Sequence, residues 1–262
     1  MRIEQNQRAY NLPEIVDYYI RYEKLQRPEE AIFRLLEKEM KHMKMLDIGV
    51  GSGRTTKFFA SKVKEYKAID YSSEMISQCK IQFRGTVAEE NFLTADARDL
   101  SIFPDNYFDF ILFSFNGIDN VRHEDRKVIF LQIKRLLAKE GVFCFSSHNL
   151  LTIKTWNKIQ FTLNPLGFAR NIITHFKRKH INKLTEKLIN NLPQMDYLQV
   201  NDGAHKWKLS LTYVRPSYQV SELRDIGFQK ITIFNLDHGE VVLPSQLELL
   251  SDKWLYYLCK LN

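Results

Sequence analysis

Cysteine is scarce in this chain: Cys79, Cys144 and Cys259 are odd in number, far apart, and each lies in an apolar run. That excludes a disulfide framework and a cysteine-based zinc site, and leaves three reduced core thiols, the pattern of a cytoplasmic protein. No metal cluster is evident among the other ligating residue types, and none is expected. No apolar run approaches the ~18 residues a membrane span requires, and Met-Arg-Ile-Glu-Gln-Asn at the start lacks the apolar stretch of a signal peptide. Acidic residues are thin in one place. From Leu151 to Arg215, eleven Lys or Arg face only Glu186, Asp196 and Asp202, a net charge of +8. The whole chain carries +7, so the remainder sums to −1, and any argument from charge about partners concerns that one segment. The rest of the composition is ordinary: 262 residues, 44% apolar and 26% charged, enough for a sizeable core and for a domain with an elaboration.

What is there is concentrated in Met45-Leu-Asp-Ile-Gly-Val-Gly-Ser-Gly-Arg-Thr-Thr56. It reads as a buried strand carrying a carboxylate, three glycines that let the backbone approach a ligand, and the start of a helix whose free N–H groups face that ligand. A pyrophosphate-binding loop runs G-x-G-x-x-G, and its third glycine would fall on Arg54 counting from Gly49, or on Thr56 counting from Gly51. Both counts fail. The remaining pattern, D-x-G-x-G-x-G, resembles motif I of the class I S-adenosylmethionine-dependent methyltransferases, in their small-molecule (type 11/12-like) group. The resemblance implies S-adenosylmethionine as cofactor and S-adenosylhomocysteine as product. Gly49, Gly51 and Gly53 would pass the methionine part, and Asp47 would answer the positive charge.

Asp70 ends a second strand, Tyr66 to Ala68 running on through Ile69, and lies 17 positions beyond Gly53, where a carboxylate grips ribose hydroxyls in a β-α-β unit. Asp70-Tyr-Ser-Ser-Glu-Met also looks like the family's acidic motif, which places Tyr71 at the adenine edge. Asn91 to Ala95 is a third strand. At its carboxyl end, where open α/β sheets bind ligands, Asp96 matches the family's contact to the adenine amino group and Ala97 its backbone contact, with a solvated turn aspartate as the alternative. Phe108 to Phe115 is too continuously apolar to be other than a central strand. Its end is where the family keeps the residues nearest the sulfonium, and Phe113 and Asn116 join the expected cofactor contacts.

The spacing predicts two helical stretches before residue 44, Tyr10 to Tyr22 and one opened by Pro28-Glu29-Glu30. Tyr10, Tyr18, Tyr19 and Tyr22 either line the ligand pocket or pack an apolar helix face. A helix over Arg54 to Val63 follows the glycine loop, another is capped by Ser72 or Ser73, and one over Arg126 to Leu137 is stopped by Gly141 before the strand Val142 to Ser146. Five strands alternating with helices make a doubly wound parallel sheet of α/β class. The resemblance extends this to a Rossmann-like sheet of seven strands with the last reversed, the final pieces being Ser217 to Ile226, Lys230 to Phe234 and Trp254 to Cys259. The expected organisation is an N-terminal helical cover over residues 1–43, a cofactor-binding core over 44–150, an inserted basic helical/β substrate cap over 151–215, with Lys206 to Val214 as its strand, and the rest of the core over 216–262.

Methyl transfer to a hydroxyl or an amine calls for a base. His148, at the end of the fifth strand, is the best-placed candidate and His123 the next, a satisfied structural histidine being the alternative for either. The leading expectation is methylation of an O or N of a small metabolite or of a glycan or lipid precursor, with the basic cap serving an anionic group. The rivals are an RNA methyltransferase whose cap follows phosphates and a non-catalytic protein that binds the cofactor.

Overall fold

The computed structural model describes residues 2–159 and 161–261. Three helices, α1 (Arg2–Tyr10), α2 (Pro13–Ile20) and α3 (Arg27–Met40), precede the sheet. Then come β1 (Lys44–Ile48), α4 (Thr56–Phe59), β2 (Glu65–Asp70), α5 (Ser73–Gln82), β3 (Phe92–Thr94), β4 (Phe108–Phe113), α6 (His123–Leu136) and β5 (Leu137–Asn149). After β5 the alternation lapses into α7 (Pro165–Ile181), α8 (Glu186–Asn191), β6 (Tyr197–Val200), α9 (Ala204–Trp207) and β7 (Leu211–Val214). The chain closes with α10 (Pro216–Ile226), β8 (Phe228–Phe234) and β9 (Trp254–Leu261).

β3, β2, β1, β4 and β5 lie side by side and parallel; β9 pairs antiparallel with β5, and β8 with β9, so this is a Rossmann-like sheet of seven strands with the last one reversed. Its strands are buried on both faces, which is why they read as continuous apolar runs rather than alternating ones. Ile48, Ile111, Phe143 and Tyr257 pack with residues of α6 and α10 on one side. Met45, Phe110, Cys144 and Tyr256, their neighbours at period two, pack with α3 and α5 on the other.

β5 outlasts its neighbour. β4 pairs with it only as far as Phe113 opposite Phe145, while β9 accompanies it to His148 opposite Trp254. On the edge that β4 vacates, β7 takes His148 and Asn149, opposite Tyr213 and Val214. β6 pairs antiparallel with β7, so this hairpin rises from the carboxyl end of the sheet beside the ligand-binding edge.

Several elements differ from the sequence expectation. The helix after the glycine loop is a single turn, because Gly53 through Thr55 are taken by the turn and residues 61–64 by the entry to β2. The first forty residues hold three helices, with Asn11 and Leu12 breaking the tyrosine-rich stretch. Gly141 stops no helix: α6 ends at Leu136, and Gly141 lies inside β5, at a bulge where Leu137 and Val142 face Phe108 and Phe110 and Glu140 adopts φ +66°. Lys206 falls in a turn of left-handed backbone and only Leu211–Val214 is strand, while its partner β6 was not foreseen.

Candidate active site

β1 and β2 deliver two carboxylates to the carboxyl edge of the sheet, with the glycine loop between them. Gly51 adopts φ +56°, and a Cβ there would meet nothing within 4 Å, because its bare α-carbon borders open space. Gly53, at φ +90°, faces the other way: a Cβ would lie 2.3 Å from the ring of Phe83, which caps α5, and 3.3 Å from Cys79 Sγ, so this glycine seats the loop on the end of that helix. Asp70 holds the loop from the front. Its Oδ2 accepts from the Gly51 amide at 2.9 Å and its Oδ1 from the Ser72 amide at 2.9 Å. Burial pushes this carboxyl up to about 6 against those hydrogen bonds.

Around the loop lies a cleft of about 980 Å³. Asp47, Gly49, Gly51, Asp70, Tyr71, Asp96, Ala97 and Phe113, eight of the residues expected from the sequence, line it together. Asp47 is also a structural anchor: its Oδ2 accepts from the Thr55 hydroxyl at 2.5 Å and from the Tyr66 hydroxyl at 2.8 Å, and burial pushes it up to about 6. Asp96 is clasped by the Arg98 guanidinium and accepts from the Arg98 amide at 2.9 Å. Burial works to raise its carboxyl, but the Arg98 bonds outweigh this and hold it below the usual range. The Tyr71 hydroxyl is buried with no hydrogen-bond partner among the described residues. Tyr10 and Tyr19 line the cleft, with Tyr10 5.8 Å from the Tyr71 ring and Tyr19 6.1 Å from Phe115, whereas Tyr18 and Tyr22 are exposed. Tyr10 and Tyr19 therefore fit the pocket-lining reading, while Tyr18 and Tyr22 neither line the cleft nor lie in a buried helix face.

Arg54, the residue that stands where a pyrophosphate loop has its third glycine, is buried and lines the cleft. It donates to both oxygens of Glu29, through Nη1 at 2.5 Å and Nη2 at 2.6 Å, and through Nη2 to the Ser114 hydroxyl at 3.1 Å. Glu29 also accepts from the Tyr256 hydroxyl at 2.8 Å and from the Gln26 amide at 2.7 Å. Burial works to raise the Glu29 carboxyl, but the Arg54 charge and hydrogen bonds hold it below the usual range. This pair ties α3 to the glycine loop. Glu29 looks in the sequence like a first-turn helix acid and Arg54 like a loop residue, and nothing local pairs them.

A second cavity, about 1250 Å³, is lined by residues from both ends of β5's neighbourhood, among them His148, Trp156, Arg178, Tyr213 and Trp254, together with Lys158 and Lys253. It meets the cleft where Phe115, which lines the cleft, packs edge-on against Trp254 at 6.1 Å. Phe115 and Asn116 both hold left-handed backbone, φ +53° and +60°, and Gly117 follows with no room for a side chain beside Phe113. His148 Nδ1 lies 2.7 Å from Asp119 Oδ2, which also accepts from the His148 amide at 2.7 Å. Asp119 is fully buried, paired with Arg126 and accepting from the Ser147 hydroxyl at 2.8 Å. The other ring nitrogen, Nε2, lies 3.3 Å from Asn116 Nδ2. A tautomer that donates Nδ1–H to Asp119 leaves the ring's lone pair on Nε2. Asp119 is a residue that sequence reasoning missed, because 29 positions separate it from His148.

The remaining expected residues lie elsewhere. Gly53 supports the loop from behind. Asn116 lines neither cavity: it is buried beside His148, its backbone N–H donated to the Ser146 hydroxyl at 2.8 Å. His123 is not brought to either cavity: it begins α6, stacks on Tyr197 at 3.7 Å and lies 3.4 Å from Glu222, and burial lowers its pKa. Among the described residues no group of three or more His, Cys, Asp or Glu is arranged to hold a metal ion.

Residues 45–141 match the family model of a methyltransferase domain. The ubiquinone/menaquinone biosynthesis C-methyltransferase UbiE of Erwinia tasmaniensis is 26% identical over 208 residues, covering 76% of this chain and 72% of its own. Among solved structures, an S-adenosylmethionine-dependent methyltransferase from Clostridium acetobutylicum superposes with a TM-score of 0.63 at 17% identity, over 95% of this chain and 97% of its own. The 1,6-didemethyltoxoflavin-N1-methyltransferase of Burkholderia thailandensis, solved with its substrate and S-adenosylhomocysteine, superposes with a TM-score of 0.60 at 13% identity, over 99% of this chain and 88% of its own.

Proposed function

We propose that this class I S-adenosylmethionine-dependent methyltransferase methylates a small, anionic acceptor held in the second cavity, with His148 removing the acceptor's proton. S-adenosylmethionine is its cofactor, and when bound it supplies an electrophilic methyl group on a sulfonium. Three observations support holding it in the glycine-loop cleft: the bare α-carbon of Gly51 that a side chain would fill, the carboxylate of Asp70 at the strand end, and the buried Tyr71 hydroxyl that lacks a partner. Asp70 would accept from the ribose hydroxyls with the lone pairs that the Gly51 and Ser72 amides leave over, and Tyr71 would meet the adenine edge.

The observation that carries the acceptor side is the contact of His148 Nδ1 with Asp119 Oδ2 at 2.7 Å, in a cavity that abuts the cleft. Asp119 fixes the tautomer and stabilises the imidazolium that forms when Nε2 takes a proton. Arg178, which lies over the Trp156 ring at 4.4 Å, would hold an anionic group together with Lys158 and Lys253. We assign residues 151–215 the role of a cap on this cavity, since Trp156, Arg178 and Tyr213 all come from it. Loss of a hydroxyl or amine proton serves O- or N-methylation directly. A second reading, C-methylation at a carbon activated by an ionised hydroxyl, is favoured by the likeness to the Erwinia C-methyltransferase and would use the same base. The burial of His148 between Tyr213 and Trp254 supports a small molecule over an RNA chain following the basic segment.

Incubation with methyl-labelled cofactor and a metabolite extract tests this. Label should enter a small molecule, and His148→Ala should lower the rate by roughly 10²- to 10⁴-fold, the usual worth of a general base, with S-adenosylhomocysteine affinity unchanged. Label in RNA alone, or full activity of His148→Ala, would overturn the reading.

A further inference from the structure

The segment that follows β5 has two faces, and only one of them belongs to the second cavity. On α7 the inner face, with Asn171, Thr174, His175 and Arg178, walls that cavity. The outer face is apolar and bare. Leu166 is 80% exposed, Ile173 66% and Phe176 62%, and the approach to the helix adds Phe161 at 77% and Leu163 at 91%. Leu166, Ala169, Ile173 and Phe176 stand at i, i+3, i+7 and i+10, so they form one stripe along the 17-residue helix. Arg170 and Lys177, at i+4 and i+11, run beside it and are also exposed.

No acidic residue occurs between Glu140 and Glu186, while Lys154, Lys158, Arg170, Lys177, Arg178, Lys179 and Lys183 all fall in that span. Large apolar side chains so fully exposed, in a stretch of chain with seven Lys or Arg and no acid of its own, are costly in water and need a partner that is apolar within and anionic at its surface. We propose that α7 and the segment leading into it dock this protein on an anionic lipid bilayer, the helix lying in the interface with Leu166, Ile173 and Phe176 in the acyl boundary and Arg170 and Lys177 among the headgroups. A second copy of the chain is a poor occupant, since pairing this face with itself would bring two uncompensated basic segments together. RNA would answer the charge and leave Leu163, Leu166 and Ile173 in water. The attachment is peripheral: among the described residues no helix is long and apolar enough to cross a membrane. The inference stands apart from the acceptor reading, because none of the outer-face residues lines either cavity.

Vesicle flotation tests it with the full chain. The protein should float with phosphatidylcholine vesicles that contain phosphatidylglycerol, float far less with phosphatidylcholine alone, and lose binding as salt is raised. Leu166→Ser combined with Phe176→Ser should lower the partition coefficient at least about tenfold, and Arg170→Gln with Lys177→Gln by roughly tenfold or more on anionic vesicles only. These positions are exposed, and unchanged S-adenosylhomocysteine binding certifies that each variant is folded. Failure of the wild-type chain to float with anionic vesicles overturns the proposal, as does equal flotation of the apolar variant. Concentration-dependent dimerisation abolished by Leu166→Ser and Phe176→Ser, without lipid binding, would assign the face to a second copy and also overturn it.

Discussion

Replacing Asp70 with asparagine puts the cofactor reading under the most direct strain. Each carboxylate oxygen accepts one backbone amide, Gly51 on one side and Ser72 on the other. An asparagine can present its oxygen to only one of them, so whichever way the amide turns, its NH2 donor faces an N–H donor. The variant therefore loses both the charge that the ribose hydroxyls would meet and the clamp on the glycine loop. A hydrogen bond to a charged group is worth about 1.5–3 kcal/mol, so S-adenosylhomocysteine should bind roughly 10- to 150-fold more weakly to Asp70→Asn. Acidity adds a second signature. Burial places the Asp70 carboxyl at about 6, so it is an ionised acceptor above that value and a protonated one below it. Affinity of the wild-type chain should thus be flat above neutrality and fall by about tenfold per pH unit as pH drops below about 6, and the variant should lose that component of the slope. Isothermal titration calorimetry across roughly pH 5 to 8, which spans the titration of a group near 6, reads both effects. Equal affinity of the two proteins, or an unaltered pH profile in the variant, would remove Asp70 from the binding site and leave it as a loop clamp.

Three further outcomes follow from the same geometry. Gly51→Ala should fold with a loss of about 1–2 kcal/mol for its left-handed backbone and block cofactor binding, whereas Gly53→Ala, driven into Phe83, should cost more stability than affinity; thermal melts beside calorimetry separate the two, and a reversed ranking would refute the assignment of their faces. Glu29→Gln should cost about 3–5 kcal/mol in urea denaturation by leaving Arg54 buried without its counter-charge, and because Glu29 titrates below its unfolded value, that stability is present above about pH 4.3 and lost as pH falls through the folded value. A variant as stable as wild type would show the pair to be dispensable. Arg178→Ser should slow labelling of the acceptor, more at low salt than at high, while Lys177→Ser, on the outer face, leaves it unchanged in the absence of lipid; equal effects would place the acceptor's anionic group elsewhere.

Much of the fold and half of the site could be read from the chain because they rest on local rules. Apolar runs bounded by turns mark β1, β4 and β5, and the Gly49-Val-Gly51-Ser-Gly53 spacing, by failing the pyrophosphate count, points to a different nucleoside. Asp70 and Asp96 were legible as strand-end carboxylates, a position that depends only on strand length and the direction of a parallel sheet. Boundaries are less legible where the chain bends backbone against type: Glu140 at φ +66° carries β5 through the place where Gly141 looks like a stop, and Lys206 and Trp207 in left-handed backbone cut short the strand that Lys206 to Val214 suggests.

What was not legible depends on which side of an element meets which distant partner. Lys177, Arg178 and Lys179 are adjacent and alike in the sequence, yet Arg178 lies over Trp156 in the second cavity and Lys177 over the Trp207 ring, because successive helical residues are turned about 100° apart. In the sequence His148 ranks ahead of His123 only by its place at the end of the fifth strand. The structure distinguishes them by one long-range event, the extension of β5 past the end of β4, which sets His148 between Trp254 and Tyr213 and over a buried Asp119, while His123 stacks on a tyrosine at the surface of α6. The same extension makes the second cavity, since it is the hairpin recruited to the free edge of β5 that brings Tyr213, and behind it the inner face of α7, alongside the cofactor cleft. The proposed chemistry therefore rests on strand length as much as on residue type: shorten β5 by two residues and His148, its contact with Asp119 and the β6–β7 hairpin lose their common anchor.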